Sequence, residues 1–181
     1  MIRKMCMNIA IIYESVTGNT QEIAQEIKKG CNDYHSVELL SVEEALKTPL
    51  NHQEIDLYFL GSWTNKGYCG VYMKAFVKQL DQATVALFQT AGYGNSTEYY
   101  HALENRFIEV LPENTRVLGA FCCQGRMTIS VRNRIVSLLK SQPQDAKLRL
   151  DIQNFDSALS HPDQHDYAFA QLFAEKILQR Y

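Results

Sequence analysis

The chain has 181 residues, 46% of them hydrophobic, 10% aromatic and 21% charged, with a formal net charge of −2. That length supports one well-buried core, and the composition excludes disordered, fibrous and collagen-like classes. The near-neutral balance, with no Lys/Arg block at either terminus, excludes the electrostatic footprint of phosphate-backbone binding, so nucleic acid is not an expected partner.

At the N-terminus Arg3 and Lys4 precede the apolar run "MCMNIAIIY". Asn8 interrupts that run and no small-residue cleavage site follows, so it reads as a first strand and not a signal peptide. Further apolar runs follow at 36–40 ("SVELL"), 56–62 ("DLYFLGS"), 84–91 ("TVALFQTA") and 115–123 ("TRVLGAFCC"). Apolar side chains on successive positions suit strands covered on both faces, as in a parallel sheet. Between the strands lie stretches with helical spacing. Their apolar stripes are Ile23, Ala24 and Ile27; Val71, Ala75, Phe76 and Leu80; Leu103, Phe107, Val110 and Leu111; and Val131, Ile135, Leu138 and Leu139. A last helix carries Ala168, Leu172, Phe173, Ile177 and Leu178.

Five strands alternating with five helices predict an α/β fold with a doubly wound, three-layer parallel sheet. Residues 1–181 read as a single domain, with an irregular connection at about 141–163 before the last helix. No apolar run approaches the ~20 residues needed to span a bilayer, so no membrane association is expected. The five cysteines (Cys6, Cys31, Cys69, Cys122, Cys123) contain no C-x-x-C pair and no His at zinc-ligand spacing, so no metal is expected. They read as reduced thiols acting as small hydrophobes in a cytoplasmic protein.

Open parallel sheets bind ligands at the carboxyl ends of their strands. Here the first strand is followed by Ser15, Val16, Thr17, Gly18, Asn19 and Thr20, and then by the helix opening "TQEIAQEI". Hydroxyls, an amide and the unpaired N–H groups of a helix N-terminus together favour an anion, with no Lys or Arg in the loop. The alternative is that Thr17 or Asn19 only caps the helix, with Glu22 closing a capping box. The loop is neither G-x-G-x-x-G nor G-K-[ST], so a terminal phosphate monoester suits it better than a dinucleotide or a nucleoside triphosphate.

The segment "SVTGNT" resembles the flavodoxin phosphate loop, a [ST]-x-T-G-x-T pattern between the first strand and first helix, and the resemblance extends over nearly the whole chain. It implies a flavodoxin-like sheet of order 2-1-3-4-5 and FMN as cofactor, with the 5′-phosphate at Ser15, Val16, Thr17, Gly18, Asn19 and Thr20. It also implies that the next two strand ends, Ser62, Trp63, Thr64, Asn65, Lys66 and Gly67, then Thr90, Ala91, Gly92, Tyr93 and Gly94, border the flavin ring. Trp63 and Tyr93 are the aromatics expected to sandwich it, although Trp63 reads equally as a partly buried core residue. A stacked aromatic face disfavours a reduced anionic ring and a nearby cation favours it. Lys66 is the candidate cation, with a solvated loop lysine as the alternative. Gln124 and Arg126, after the fifth strand, are candidates for contact with an anionic substrate or partner, although Arg126 suits local carbonyls equally well.

The chain departs from acidic electron carriers in its near-neutral charge and in a third loop, "TAGYGNSTEYY", without their acidic pattern. "SWTNKGYC", "FQTAGYG", "FCCQGRM" and "NFDSALSHPD" resemble a bacterial subgroup associated with bilirubin reduction. Two functions follow from the resemblance. One is an FMN-binding redox protein passing electrons to a partner reductase or flavoenzyme, with no catalytic side chain. The other is an NAD(P)H-dependent flavin, quinone or tetrapyrrole reductase. A flavin-free receiver module is disfavoured, because the relevant strand ends carry Glu14 and Gly61–Ser62 where a receiver needs an acidic cluster and an Asp.

Overall fold

The computed structural model describes residues 6–32, 35–48, 50–94 and 96–181; Arg3 and Lys4, and Met5 at the start of the first run, lie outside them. The elements run β1 (Asn8–Glu14), α1 (Asn19–Gly30), β2 (Ser36–Ser41), α2 (Val42–Ala45), a 3-10 turn (His52–Glu54), β3 (Leu57–Asn65), β4 (Tyr68–Cys69), α3 (Val71–Val77), β5 (Thr84–Ala91), α4 (Thr97–Ile108), β6 (Arg116–Gln124), α5 (Ile129–Ser141), α6 (Ala146–Ala158) and α7 (Gln164–Arg180). The main sheet has the order β2-β1-β3-β5-β6, and all four of its pairings are parallel. With the two-residue β4 set aside, this is the 2-1-3-4-5 order expected.

The continuous apolar runs are explained by burial on both faces. Ile9, Ile11, Leu57, Phe59, Ala86 and Phe88 face α1 and α7 in one core layer. Ala10, Ile12, Tyr58, Leu60, Val85 and Leu87 face α2, α3 and α4 in the other. β1, β3 and β5 therefore sit in the middle, and their carboxyl ends, Glu14, Asn65 and Ala91, open on one edge of the sheet. A register shift against β5 bends β6, the outer strand.

Three expectations need correction. Residues 146–158 form a helix inside the expected irregular connection: Asp145 caps it, accepting from the amides of Lys147 (2.8 Å) and Leu148 (3.2 Å). The signal was present in Leu148, Ile152, Phe155 and Ala158, at helical spacing behind an Asp. In α7 the buried face is Ala170, Ala174, Ile177 and Leu178, whereas Ala168 and Leu172 are exposed. Close approach to α1 turns the small alanines inward. In α3 the buried residues are Met73, Phe76 and Val77, followed by Leu80, and Val71 and Ala75 face outward.

Burial pushes the Cys31 thiol up to about 12 and the Cys69 thiol up to about 11, so neither is a ready nucleophile. Cys122 and Cys123 are raised further by the same cause, while Cys6 is exposed. Among the described residues no helix is long and apolar enough to cross a membrane.

Candidate functional site at the carboxyl edge

The turn from β1 into α1 depends on Gly18, whose φ of 86° is a left-handed conformation that side chains resist. Gly18 is the N-cap of α1, and no side chain caps the helix. The capping alternative is thus not what the structure adopts. Glu22 instead forms an ion pair with Arg126 and accepts from the Tyr167 hydroxyl at 2.7 Å. The amides heading α1 are left without a side-chain acceptor, the arrangement that favours a bound anion.

Around this helix end, Ser15 Oγ and Asn19 Oδ1 are buried without a protein partner among the described residues. Asn19 Nδ2 donates to Thr17 Oγ1 (2.9 Å) and to the Arg126 carbonyl (2.8 Å), tying the first loop to the segment after β6. Thr20 is fully buried, its hydroxyl 2.8 Å from that of Thr90 at the end of β5. Val16 and Thr17 are exposed.

Trp63 is not beyond its strand but inside it, because β3 continues to Asn65 and folds back as β4. Lys66 (φ 50°) and Gly67 (φ 86°) make the two-residue turn, which requires positive φ at both positions. Lys66 and Asn65 are exposed at its tip. Ser62 Oγ accepts from the Gly70 amide (2.8 Å) and donates to the Trp63 carbonyl (2.9 Å), closing the hairpin base. Thr64 Oγ1 donates to the Thr90 carbonyl (3.0 Å), joining the second loop to the third.

Glu14 was missed by sequence reasoning as part of this assembly. It is 4% exposed; Oε1 accepts from Trp63 Nε1 (3.2 Å) and Oε2 from the Met73 amide in the first turn of α3 (2.7 Å). A carboxylate ends β1 where an apolar residue would continue it, and that interruption was the only signal.

In the third loop, Ala91 ends β5 and Tyr93 is exposed on one side, its ring in T-shaped contact with Tyr99 at 6.1 Å. The Gly92 carbonyl accepts from Gln124 Nε2 (3.1 Å) and Asn154 Nδ2 (2.9 Å). Gly94 packs against the Gln124 side chain. Gln124 is buried and bonds the Gly92 carbonyl, and Arg126 pairs with Glu22. Asn154 and Asp151, both on α6, were also missed, since they reach the site from the segment read as irregular. Tyr93 donates to Asp151 Oδ1 at 2.7 Å.

Burial raises the Asp151 carboxyl, but hydrogen bonds from Lys147 and Tyr93 outweigh it and hold the group below the usual carboxylate range. Burial, reinforced by Asp151, pushes the Tyr93 phenol up to about 12. A depressed carboxyl pKa contributes stability that is present above the unfolded value and lost as pH falls through the folded one. The Tyr93–Asp151 link is therefore expected to persist at neutral pH and to weaken in the acid range. A carboxyl NMR titration checks it: Tyr93→Phe should raise the Asp151 midpoint, and an unmoved midpoint would count against the link.

The chain belongs to the flavodoxin family: the flavodoxin domain model matches residues 10–175. It is 32% identical over 178 residues to the flavodoxin-like domain-containing protein BilS of Clostridium symbiosum (strain WAL-14163), covering 92% of this chain and 94% of that one. It is 27% identical over 172 residues to the BilS protein of Clostridioides difficile (strain CD3), covering 95% and 97%. Among solved structures, a flavoprotein from Lactobacillus acidophilus NCFM in complex with FMN superposes with a TM-score of 0.52 and 19% identity, covering 65% of this chain and 93% of that one. The cofactor of a flavodoxin domain is FMN, and the residues present fit it. The uncapped head of α1 and the partnerless Ser15 hydroxyl match a phosphate, with Trp63 near the carboxyl end of β3 and Tyr93 on the loop after β5.

Proposed function

We propose that this chain holds FMN at the carboxyl edge of the sheet and passes electrons to a partner reductase, acting in the cytoplasm. The observation carrying this reading is the head of α1, where Gly18 leaves the helix without a side-chain cap beside the buried, partnerless Ser15 hydroxyl. In this reading Ser15, Thr17 and the amides of Gly18, Asn19 and Thr20 bind the phosphate, and no basic side chain is needed because the helix end supplies the positive potential. Trp63 and Tyr93 border the ring, and the backbone of Thr64 to Gly67 and of Ala91 to Gly94 meets its polar edge. The bound flavin supplies one- and two-electron chemistry. The protein's part is to anchor the phosphate, orient the ring and restrict water, with no side chain assigned as acid or base.

The flavin's phosphate separates this reading from simple aromatic binding. Ser15→Ala and Thr17→Val are each expected to weaken FMN by ten- to a hundredfold, since a hydrogen bond to a charged group is worth about 1.5–3 kcal/mol. Riboflavin, lacking the phosphate, should bind both variants as it binds the parent, and Trp63→Ala should weaken FMN and riboflavin alike. Fluorescence titration of the apo chain measures all of these, and equal parent affinity for FMN and riboflavin would overturn the phosphate cradle. Mixing the loaded chain with NADPH alone distinguishes a carrier, whose yellow colour persists, from a reductase, whose colour bleaches.

A further inference from the structure

We propose that the β3–β4 hairpin and the outward face of α3 form the docking surface for the redox partner, and that this partner presents carboxylates to it; the proposal rests on the FMN reading above. The face is apolar and aromatic where it should be wet: Tyr68, Val71 and Tyr72 are 45%, 70% and 51% exposed. Two cations flank the Tyr68 ring, Lys74 Nζ at 4.8 Å and Arg106 Cζ at 5.3 Å from its centroid. Exposed aromatics beside cations form the type of surface that anchors protein interfaces.

Charge identifies the occupant. Residues 57–80 contain no Asp or Glu and three lysines, Lys66, Lys74 and Lys78, in a chain whose net charge is −2. The acidic residues bounding that stretch, Asp56 and Asp81, lie at the opposite, amino-terminal edge, before β3 and before β5. At the carboxyl edge, Glu14 is buried under Trp63 and α3, Glu22 is paired with Arg126, and Asp151 with Lys147 and Tyr93; on α2, Glu44 is held by the Ser41 amide and hydroxyl and Glu43 is the exposed acid next to the patch. Glu98 at the head of α4 takes a hydrogen bond from Ser96. The hairpin and α3 are thus a positive, apolar patch on a slightly negative body. An acidic partner is attracted here, which orients it with its acceptor next to the second flavin loop.

Two haem proteins of opposite surface charge, acidic cytochrome b5 and basic cytochrome c, serve as probes. FMN-loaded full-length chain is reduced with dithionite and mixed with each in stopped flow; one electron passes from reduced FMN to each ferric haem, giving ferrous haem. With cytochrome b5 the rate should fall about tenfold or more between roughly 10 mM and 300 mM salt, as screening removes the attraction. Lys74→Glu with Lys78→Glu should lower that rate about tenfold at low salt and raise the rate with cytochrome c, leaving FMN affinity unchanged. In NMR titration of the apo chain with oxidised cytochrome b5, amides of residues 66–78 should move most. Faster, more salt-sensitive transfer to cytochrome c, rates unmoved by the double variant, or shifts centred away from 66–78 would each overturn the proposal. Loss of FMN from the parent chain would instead sink the cofactor reading, while the apo titration still decides the docking face.

Discussion

Glu14→Ala is expected to lower the unfolding free energy by about 3 kcal/mol, because two buried donors lose their acceptor together and each costs about 1–3 kcal/mol when left unpaired. Those donors are the Trp63 indole N–H and the Met73 amide. The second is the more telling, because α3 starts at Gly70 with no side-chain cap of its own. The carboxylate at the end of β1 therefore acts as a cap brought from 59 residues away, where the positive end of the helix welcomes its charge. Space is equally constrained, since a Cβ on Gly70 would lie 2.1 Å from Glu14 Oε1. Urea unfolding followed by Trp63, the single tryptophan, measures the loss, and the emission should shift to the red as the indole is released. Glu14→Gln should cost less, since its amide oxygen still accepts one bond. An unchanged midpoint for Glu14→Ala would show that the second loop does not depend on it.

The largest effect on the core is expected from Phe88→Ala, at about 3–5 kcal/mol for a fully buried phenylalanine. Phe88 is wholly inaccessible and pairs with Gly61 in the β3–β5 register. Its ring occupies the space above that glycine so closely that a Cβ on Gly61 would lie 2.0 Å from Cζ. Gly61→Ala alone should therefore destabilise by about 1–3 kcal/mol through overpacking. In the Phe88→Ala background the same change fills part of the vacated volume and should be neutral or favourable. A double-mutant cycle by urea unfolding measures this, and a coupling energy below about 0.5 kcal/mol would contradict direct packing of the ring on the glycine.

The sheet was legible because parallel strands buried on both faces appear as unbroken apolar runs, and residues 7–13, 56–62 and 84–91 are of that kind. The helical phases were harder to read. Val71 and Ala75 look like core residues, but Met73 takes the inward position in α3; Ala168 and Leu172 look inward-facing, but close packing on α1 prefers Ala170 and Ala174. α6 was lost because its stripe of Leu148, Ile152 and Phe155 is sparse and charged residues surround it. At the site, the run of hydroxyls from Ser15 to Thr20 marked the first loop, since its residues are neighbours in sequence. What holds the loops to one another was not legible, because the partners are remote: Asn19 with Arg126, 107 residues apart, and Asn154 with Gly92, 62 apart. Such pairs follow from topology, and no local spacing announces them.

The Asn19–Arg126, Thr20–Thr90 and Thr64–Thr90 bonds stitch the segments after β1, β3, β5 and β6 to one another through protein atoms alone. The ordering of these loops is thus met during folding and need not be met again when a ligand arrives. Mononucleotide capture should then resemble a key entering a cut lock: fast, with little change in amide exchange across residues 15–20 and 62–67, and with an affinity that draws on nearly the full interaction energy.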